Sequence, residues 1–425
     1  MLERLPTSAG SQALLLAVSG GPDSLALLLL LAECRAALLA AGYALHVATV
    51  DHGLRAASRE EAAFVARLCA ALGLPHRTLL WTGPKLAGNL AGTARRARYE
   101  LLADAARALG APAILTAHHQ DDQIETHFLA AARGAGDRGL AGMRAARDLA
   151  PGLSLLRPFL AVPGAALKAA VAIRGIRAVD DPSNRDPRFD RARLRAALDL
   201  PAAERRACLA RIAAHAARRD AEDAALAAWL GRLRGEGALW IDALGGIRLE
   251  ATALREAPPS LAPLLLGRIL RAAGGADYPP PRAALARLLA RLGSDAAEGA
   301  TLGGAVLDTR GPLVIRREYG RQGLATIPAG GAGALVFDRR FEVAGPIGGL
   351  FPPASRLAAF GYLNRGNPAE RVLPVLLDAE DRLIAAPEAL ARKAGPGCFP
   401  LPITERLSFR IDEDLPKKAE FLQNA

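Results

Sequence analysis

Residues 13–24 read ALLLAVSGGPDS. The unbroken apolar run from Ala13 to Val18 is the pattern of a strand buried on both faces. The polar turn Ser19-Gly20-Gly21-Pro22-Asp23-Ser24 follows it, and the apolar stretch LALLLLLAECRAALLAAG then predicts a helix. Glycines let backbone approach an anion closely, serines add hydroxyl donors, and a helix start offers free N–H groups and a favourable dipole. A phosphate-binding loop built from Ser19, Gly20, Gly21, Pro22, Asp23 and Ser24 is therefore expected. No GK[ST] is present, which excludes a Walker-type loop. Asp23 fits either as a helix-start cap or as a magnesium ligand shared with the phosphates.

Outward from this loop, strand and helix patterns alternate. ALHVATV (44–50) predicts a second strand ending in DHGLR, with a helix from about Ser58 to Leu72. PHRTLLW (75–81) predicts a third strand, residues 91–109 an arginine-rich helix, and PAILTAHH (112–119) a fourth strand. DDQIETHFLAAARG then opens a helix. Such alternation predicts an α/β fold with a doubly wound, Rossmann-like parallel sheet, in which ligands sit beyond the carboxyl ends of the strands. The three polar clusters SGGPDS, DHGLR and HHQDDQIET all fall at those ends. After DDPSNRDPRFDRARLR (180–195) the alternation stops. A long Ala/Arg/Glu helix is expected from about Leu198 to Trp229, then helices near 261–273 and 281–292 and strands within 301–318. GLATIPAGGAGAL (323–335) reads as a linker, and the remainder as a small α+β domain. The expected domains are a catalytic domain over 1–215, a helical and mixed domain over 216–322, and a small domain over 335–425.

At 425 residues, two or three domains are the prior. The net charge of +11 favours a polyanionic partner such as nucleic acid, although solvated arginine accounts for such a charge equally well. Cys34, Cys69, Cys208 and Cys398 are far apart and form no CxxC, so they are expected to be reduced thiols of a cytoplasmic protein. No signal-peptide pattern and no clean apolar span is present, and no membrane association is expected.

The polar clusters carry the chemistry. Asp51 and His52 stand at a strand end, placed to meet a nucleoside; His52 serves equally well as a hydrogen-bonded loop residue. Arg55 is a candidate phosphate contact, or else an exposed arginine. Arg95 and Arg98 share nearly one helix face beside Tyr99, suited to phosphate or RNA backbone or simply to solvent. In the run from His118 through Thr126, Asp122 and Glu125 lie three apart and share a helix face. A carboxylate pair of this kind suits an ammonium group, and one member suits magnesium. Acidic residues also belong at a helix start, but that explains one Asp and not the whole cluster. The HHxDD spacing does not set two histidines one turn apart, as a zinc site requires.

SGGPDS is similar to the PP-loop of the N-type ATP pyrophosphatases, which cleave ATP between α and β phosphates and adenylate a substrate. With DHGLR, ARRARYELL (94–102), HHQDDQIET (118–126), RGAGDRGLAGM (133–143), RPFL (157–160) and DPSNRDPRFDRARLR (181–195), the chain resembles the bacterial tRNA(Ile)-lysidine synthetases, densely over about residues 12–200. The resemblance implies adenylation by ATP of the wobble cytidine C2 oxygen in a CAU-anticodon tRNA(Ile). Free L-lysine then displaces AMP to give lysidine. It implies catalytic roles for Asp23, Asp51, His52, Asp122, Glu125 and Arg191, with Asp122 and Glu125 receiving lysine. It implies substrate contacts from Arg95, Arg98, His118, His119 and Arg195, nucleotide contacts from the loop and Arg55, and Mg2+ at Asp23 and Asp122. Ala192 stands where that family often has Asn. The C-terminal modules are expected to bind tRNA; a homodimer is compatible with the sequence. The alternative is another PP-loop adenylating enzyme acting on a different tRNA or a small molecule.

Overall fold

The computed structural model describes residues 12–53, 57–83, 90–179, 186, 188, 190–198, 200–293, 299–332, 334–346 and 348–416. The chain divides into two compact units, Met1–Asp220 and Ala221–Ala425.

The first unit is built on a six-stranded sheet. Its strands are β1 (Gln12–Ala17), β2 (Tyr43–Asp51), β3 (His76–Leu80), β4 (Ala113–Leu115), β5 (Ala146–Ala150) and β6 (Leu153–Leu156). They are arranged in the order β3-β2-β1-β4-β6-β5. Strands β3, β2, β1, β4 and β6 run parallel, with Leu14 opposite Leu45 and Leu15 opposite Ile114. Alternation along β1 sends side chains into two cores. Leu14 and Leu16 join residues of helices α1 (Pro22–Glu33), α2 (Arg35–Ala40) and α3 (Ala57–Ala71) on one face. Ala13, Leu15 and Ala17 join Leu102 and Ala106 of α4 (Leu90–Ala108) on the other.

The sheet is thus wound on both faces, as expected, with two differences. The predicted single helix after the loop is two, α1 and α2, meeting at Cys34. Strands β5 and β6 had no counterpart in the sequence reading. They form an antiparallel hairpin through a Pro151-Gly152 turn, and Gly152 has φ +70°. Each is too short for its periodicity to stand out.

The chain leaves β1 toward β2 and β3 on one side, then places β4 on the other. The switch point therefore lies between the carboxyl ends of β1 and β4, where a crevice opens. The SGGPDS turn follows β1; His118 and His119 follow β4 and lead into α5 (Gln120–Ala132). Helices α6 (Asp137–Leu140), α7 (Gly164–Ile173), α8 (Asp190–Ala197) and the long α9 (Ala202–Gly235) complete this part of the chain.

In the second unit, β7 (Leu239–Ile241), β8 (Ile247–Leu249), β9 (Ala300–Leu302), β10 (Ala305–Asp308) and β11 (Leu313–Arg317) form one sheet in the order β7-β8-β11-β10-β9. Its inner residues, Ile247, Leu249, Leu307 and Ile315, share a core with Leu265, Leu266, Ile269 and Leu270 of helix Ala262–Ala273. Trp229 belongs to the margin of this core, as expected of a packing tryptophan, while Trp240 is partly exposed.

The Gly- and Ala-rich stretch expected to be a linker is instead strand β12 (Ile327–Ala332) followed by β13 (Leu335–Phe337). Ladder hydrogen bonds need only backbone, and β12 pairs with β14 (Leu350–Ala359) across a bulge after Ala329. Around Phe337, Phe341, Phe360 and Leu376 this region encloses its own core, and within it Arg340 is fully buried. No helix among the described residues is long and apolar enough to cross a membrane.

Candidate active site

The loop after β1 is held by its own groups. Gly20 adopts φ +86°, and a Cβ there would meet Val179 at 3.0 Å, so glycine is required on both conformational and steric grounds. Val179 N donates to Gly20 O at 2.9 Å. Ser24 is buried and clasps the turn: Ser19 N donates to its Oγ at 3.1 Å, and its hydroxyl donates to Gly21 O at 3.0 Å. Gly21 is the N-cap of α1 with no side-chain cap, so Asp23 is not the helix cap. Its Oδ1 is buried with no hydrogen-bond partner among the described residues, and Oδ2 lies 3.5 Å from His119 Nε2.

His119 joins the loop to the second cluster. It caps α5, accepting from Asp121 N at 3.2 Å while its own N–H donates to Asp122 Oδ2 at 3.0 Å. Asp122 therefore performs the capping task and still keeps Oδ1 toward Arg195 Nη2 at 3.8 Å. Burial opposes a charge on His119, but the bond to Asp23 and the charges of Asp122, Asp23 and Asp121 outweigh it and raise its pKa. Glu125, one turn on, has a side chain only 4% exposed. Arg195 of α8 grips it with both ends of its guanidinium, Nε to Oε1 at 2.7 Å and Nη2 to Oε2 at 3.0 Å. Arg191 Nη2 donates to Thr126 Oγ1 at 3.1 Å, and its Nε is 3.9 Å from Glu125 Oε2. Ala192 between them is buried.

His119 has extended backbone, so its neighbour His118 points to the opposite side. There His118 Nδ1 lies 2.9 Å from Thr116 Oγ1. Burial, followed by the charges of Arg157, Arg98, Arg95 and Arg191, pushes its pKa down to about 2 and keeps the ring neutral. Arg98 and Arg157 are themselves lowered, chiefly by burial, with Arg95 adding repulsion. Arg95 stacks over Tyr99 at 5.4 Å. His52 meets Trp81 edge-on at 5.9 Å, and burial and then Arg98 lower its pKa. Its Nδ1 has no hydrogen-bond partner among the described residues.

Asp51 is buried and works on the local turn, accepting from Gly53 N at 2.8 Å and Ser58 Oγ at 2.6 Å through Oδ1. These are the contacts of a turn-holding carboxylate. Arg55 and the DPSN run of 181–184 lie outside the described residues.

Two participants, Gly164 and Arg205, had no signal in the sequence. Asp121 Oδ2 accepts from Gly164 N at 3.0 Å, and Arg205 of α9 donates to Asp121 Oδ1. Gly164 is needed for close approach, since a Cβ there would lie 2.6 Å from Asp121 Oδ2 and 2.8 Å from His119 Cε1. Arg157, quoted only as part of RPFL, is buried and donates to Arg144 O at 2.7 Å.

Magnesium takes few protein ligands and shares phosphate oxygens. Asp23 Oδ1, buried beside the anion loop and without a partner among the described residues, with Asp122 nearby through His119, fits such an ion. Among the described residues no cluster of three or more His, Cys, Asp or Glu could hold a metal unaided, so the phosphates would complete the shell.

A glycine turn and a carboxylate cluster facing each other at the switch point of a parallel sheet define an ATP-binding domain of the PP-loop class. The family described as PP-loop domain matches residues 1–201. The tRNA(Ile)-lysidine synthase of Ruegeria pomeroyi is 41% identical over 335 residues, covering 78% of this chain and 76% of that protein. The Methylobacterium nodulans protein of the same name is 44% identical, covering 72% and 89%. That of Rhodopseudomonas palustris is 52% identical over 214 residues, covering 49% and 60%. The chain belongs to the tRNA(Ile)-lysidine synthase family.

Proposed function

We propose that this chain joins lysine to the wobble cytidine of a CAU-anticodon tRNA(Ile) through an adenylated intermediate, releasing pyrophosphate and then AMP. The observation that carries the reading is the meeting of the phosphate loop with the carboxylate cluster, Asp23 Oδ2 standing 3.5 Å from His119 Nε2. Activation and amine transfer need both at one place, because orientation supplies much of the acceleration.

ATP lies with its phosphates on the Ser19–Ser24 turn and the first N–H groups of α1. Magnesium at Asp23 and Asp122 supplies charge neutralisation at the phosphates when bound. The cytidine C2 oxygen attacks the α-phosphorus, the α–β bridging bond breaks, and pyrophosphate leaves. Arg95 and Arg98, on the cationic side with His118, take the phosphate charge or the RNA backbone. Asp122 and Glu125 receive the ammonium of lysine. After losing a proton, the ε-nitrogen attacks C2, the C2–O bond breaks, and AMP departs with that oxygen. His52 beside Trp81 is placed for the nucleoside, and Arg191 orders the amine side through Thr126 and Glu125. The regions 216–322 and 335–425 bind tRNA, consistent with the net charge of +11.

Labelled lysine, ATP, magnesium and a CAU-anticodon tRNA(Ile) transcript test this directly. ATP-dependent label at the wobble cytidine is expected. Absence of label with ATP still bound would refute the substrate assignment and leave a PP-loop enzyme with another nucleophile. Asp23→Ala should abolish pyrophosphate release.

A further inference from the structure

The carboxylate pair read above as the lysine site already holds a cation. Arg195 satisfies both oxygens of Glu125, at 2.7 and 3.0 Å, and its Nη2 reaches within 3.8 Å of Asp122 Oδ1. The two partners differ in exposure. Glu125 is 4% exposed on the buried face of α5, whereas half of the Arg195 side chain is open to solvent. Arg191 stays close as well, anchored on Thr126 with its Nε 3.9 Å from Glu125 Oε2.

Arg195 fixes the rotamer of Glu125 through two parallel bonds. The same contact blocks the site. An incoming ammonium beside both guanidinium groups would meet two like charges at short range, so lysine must replace Arg195 rather than join it. The half-exposed guanidinium regains water on leaving, which makes it the member that moves.

We propose that Arg195 is a positioning residue that occupies the lysine site at rest, holding Glu125 aligned beside Asp122 until the lysine ammonium displaces it. The inference rests on the reading of that pair as the amine site. It implies that wild-type affinity for lysine is lowered by the fraction of time the arginine is in place. If Arg195 holds the pair nine-tenths of the time or more, its removal tightens lysine binding by about tenfold or more.

The test uses the full chain with ATP and magnesium, titrating lysine calorimetrically and measuring KM for lysine in the incorporation assay. Arg195→Ala and Arg195→Gln should bind lysine about tenfold more tightly and lower its KM by a similar factor, while KM for ATP stays unchanged. In Arg195→Ala, millimolar guanidinium ion should refill the gap and compete with lysine; in the wild type it should not. Equal or weaker lysine binding by both variants, with ATP affinity intact, would overturn the role of Arg195. Glu125→Gln separates that failure from a failure of the underlying reading. If lysine binding falls in Glu125→Gln, the amine site stands whatever Arg195 does. If lysine binding ignores Glu125→Gln even in the Arg195→Ala background, the amine site itself is misassigned and the inference falls with it.

Discussion

Gly164→Ala tests the packing of the site at a position no motif marks. Gly164 opens α7, and its missing side chain is what allows Asp121 and His119 to come so close. A Cβ would meet Asp121 Oδ2 at 2.6 Å and His119 Cε1 at 2.8 Å, against 3.4 Å for ordinary contact. His119 must therefore retreat by about 0.6 Å, and a shift on this scale costs up to about 100-fold where reacting groups are held in line. Gly164 does not have a left-handed φ, so packing rather than backbone strain is being tested. Overpacking costs about 1–3 kcal/mol, and about 2–4 °C of Tm for each kcal/mol in a unit of this size. Pyrophosphate release and lysine incorporation should both fall by about 10- to 100-fold, since His119 touches the loop side and the amine side alike. Gly231→Ala is the control: exposed within α9 with nothing within 4 Å of its Cβ, it should be neutral or stabilising. A Gly164→Ala enzyme with kcat within about twofold of wild type would refute the claim that His119 must hold its place.

Ser24→Ala removes both bonds that clasp the loop, each worth about 1 kcal/mol net, and should raise KM for ATP by about tenfold; an unchanged KM would show that the clasp is dispensable. His118 has its folded pKa pushed down to about 2 from 6.5, so on acidification the unfolded chain takes this proton first and stability is lost as pH falls below 6.5. His118→Asn should therefore lose less Tm between pH 7 and pH 5 than wild type, as followed by calorimetry at each pH; equal slopes would contradict the assignment. Arg340→Met removes a fully buried cation whose partner Asp338 keeps Arg317 at 2.9 Å. The loss should therefore fall at or below the low end of the 3–5 kcal/mol seen for broken buried pairs, a lower Tm being the expected result.

The strand–helix frame of the first unit was legible because its strands carry runs long enough to show a period, as ALLLAV and ALHVATV do. The hairpin of β5 and β6 was not, since strands of five and four residues hold barely two inward positions each. Strand β12 was hidden for another reason: its pairing runs through backbone, while its glycines and alanines imitate a linker. At the site, the clusters SGGPDS and HHQDDQIET were readable as chemistry, but their facings were not. Asp23 was open to two readings, and only the position of Gly21 as N-cap separates them. Asp51 carries the same side chain as Asp23 yet spends its Oδ1 on Gly53 and Ser58. Arg205 and Gly164 stand 84 and 43 residues from Asp121, and nothing local marks a contact over that distance.

The two histidines after β4 divide the site by charge. Extended backbone sends His119 toward Asp23, Asp121 and Asp122, whose bond and charges raise its pKa against burial, and sends His118 to the other side, where burial first and then Arg157, Arg98, Arg95 and Arg191 push its pKa down to about 2. Consecutive residues of one type thus sit in opposite fields, and the polarity of the site is built into a single turn of chain. The proposed reaction would use this division, because its reactants carry opposite charges: a phosphate ester to be activated and an ammonium to be brought beside it. If both were drawn into one undivided acidic or basic cleft, one of them would be repelled. In the proposed reaction, a seam between His118 and His119 would let each be held on its own side while their reacting atoms approach across it. Swapping the charge on one side, as in Asp122→Lys, should therefore abolish amine use more completely than Asp122→Asn, since a repulsive field is added to a lost contact.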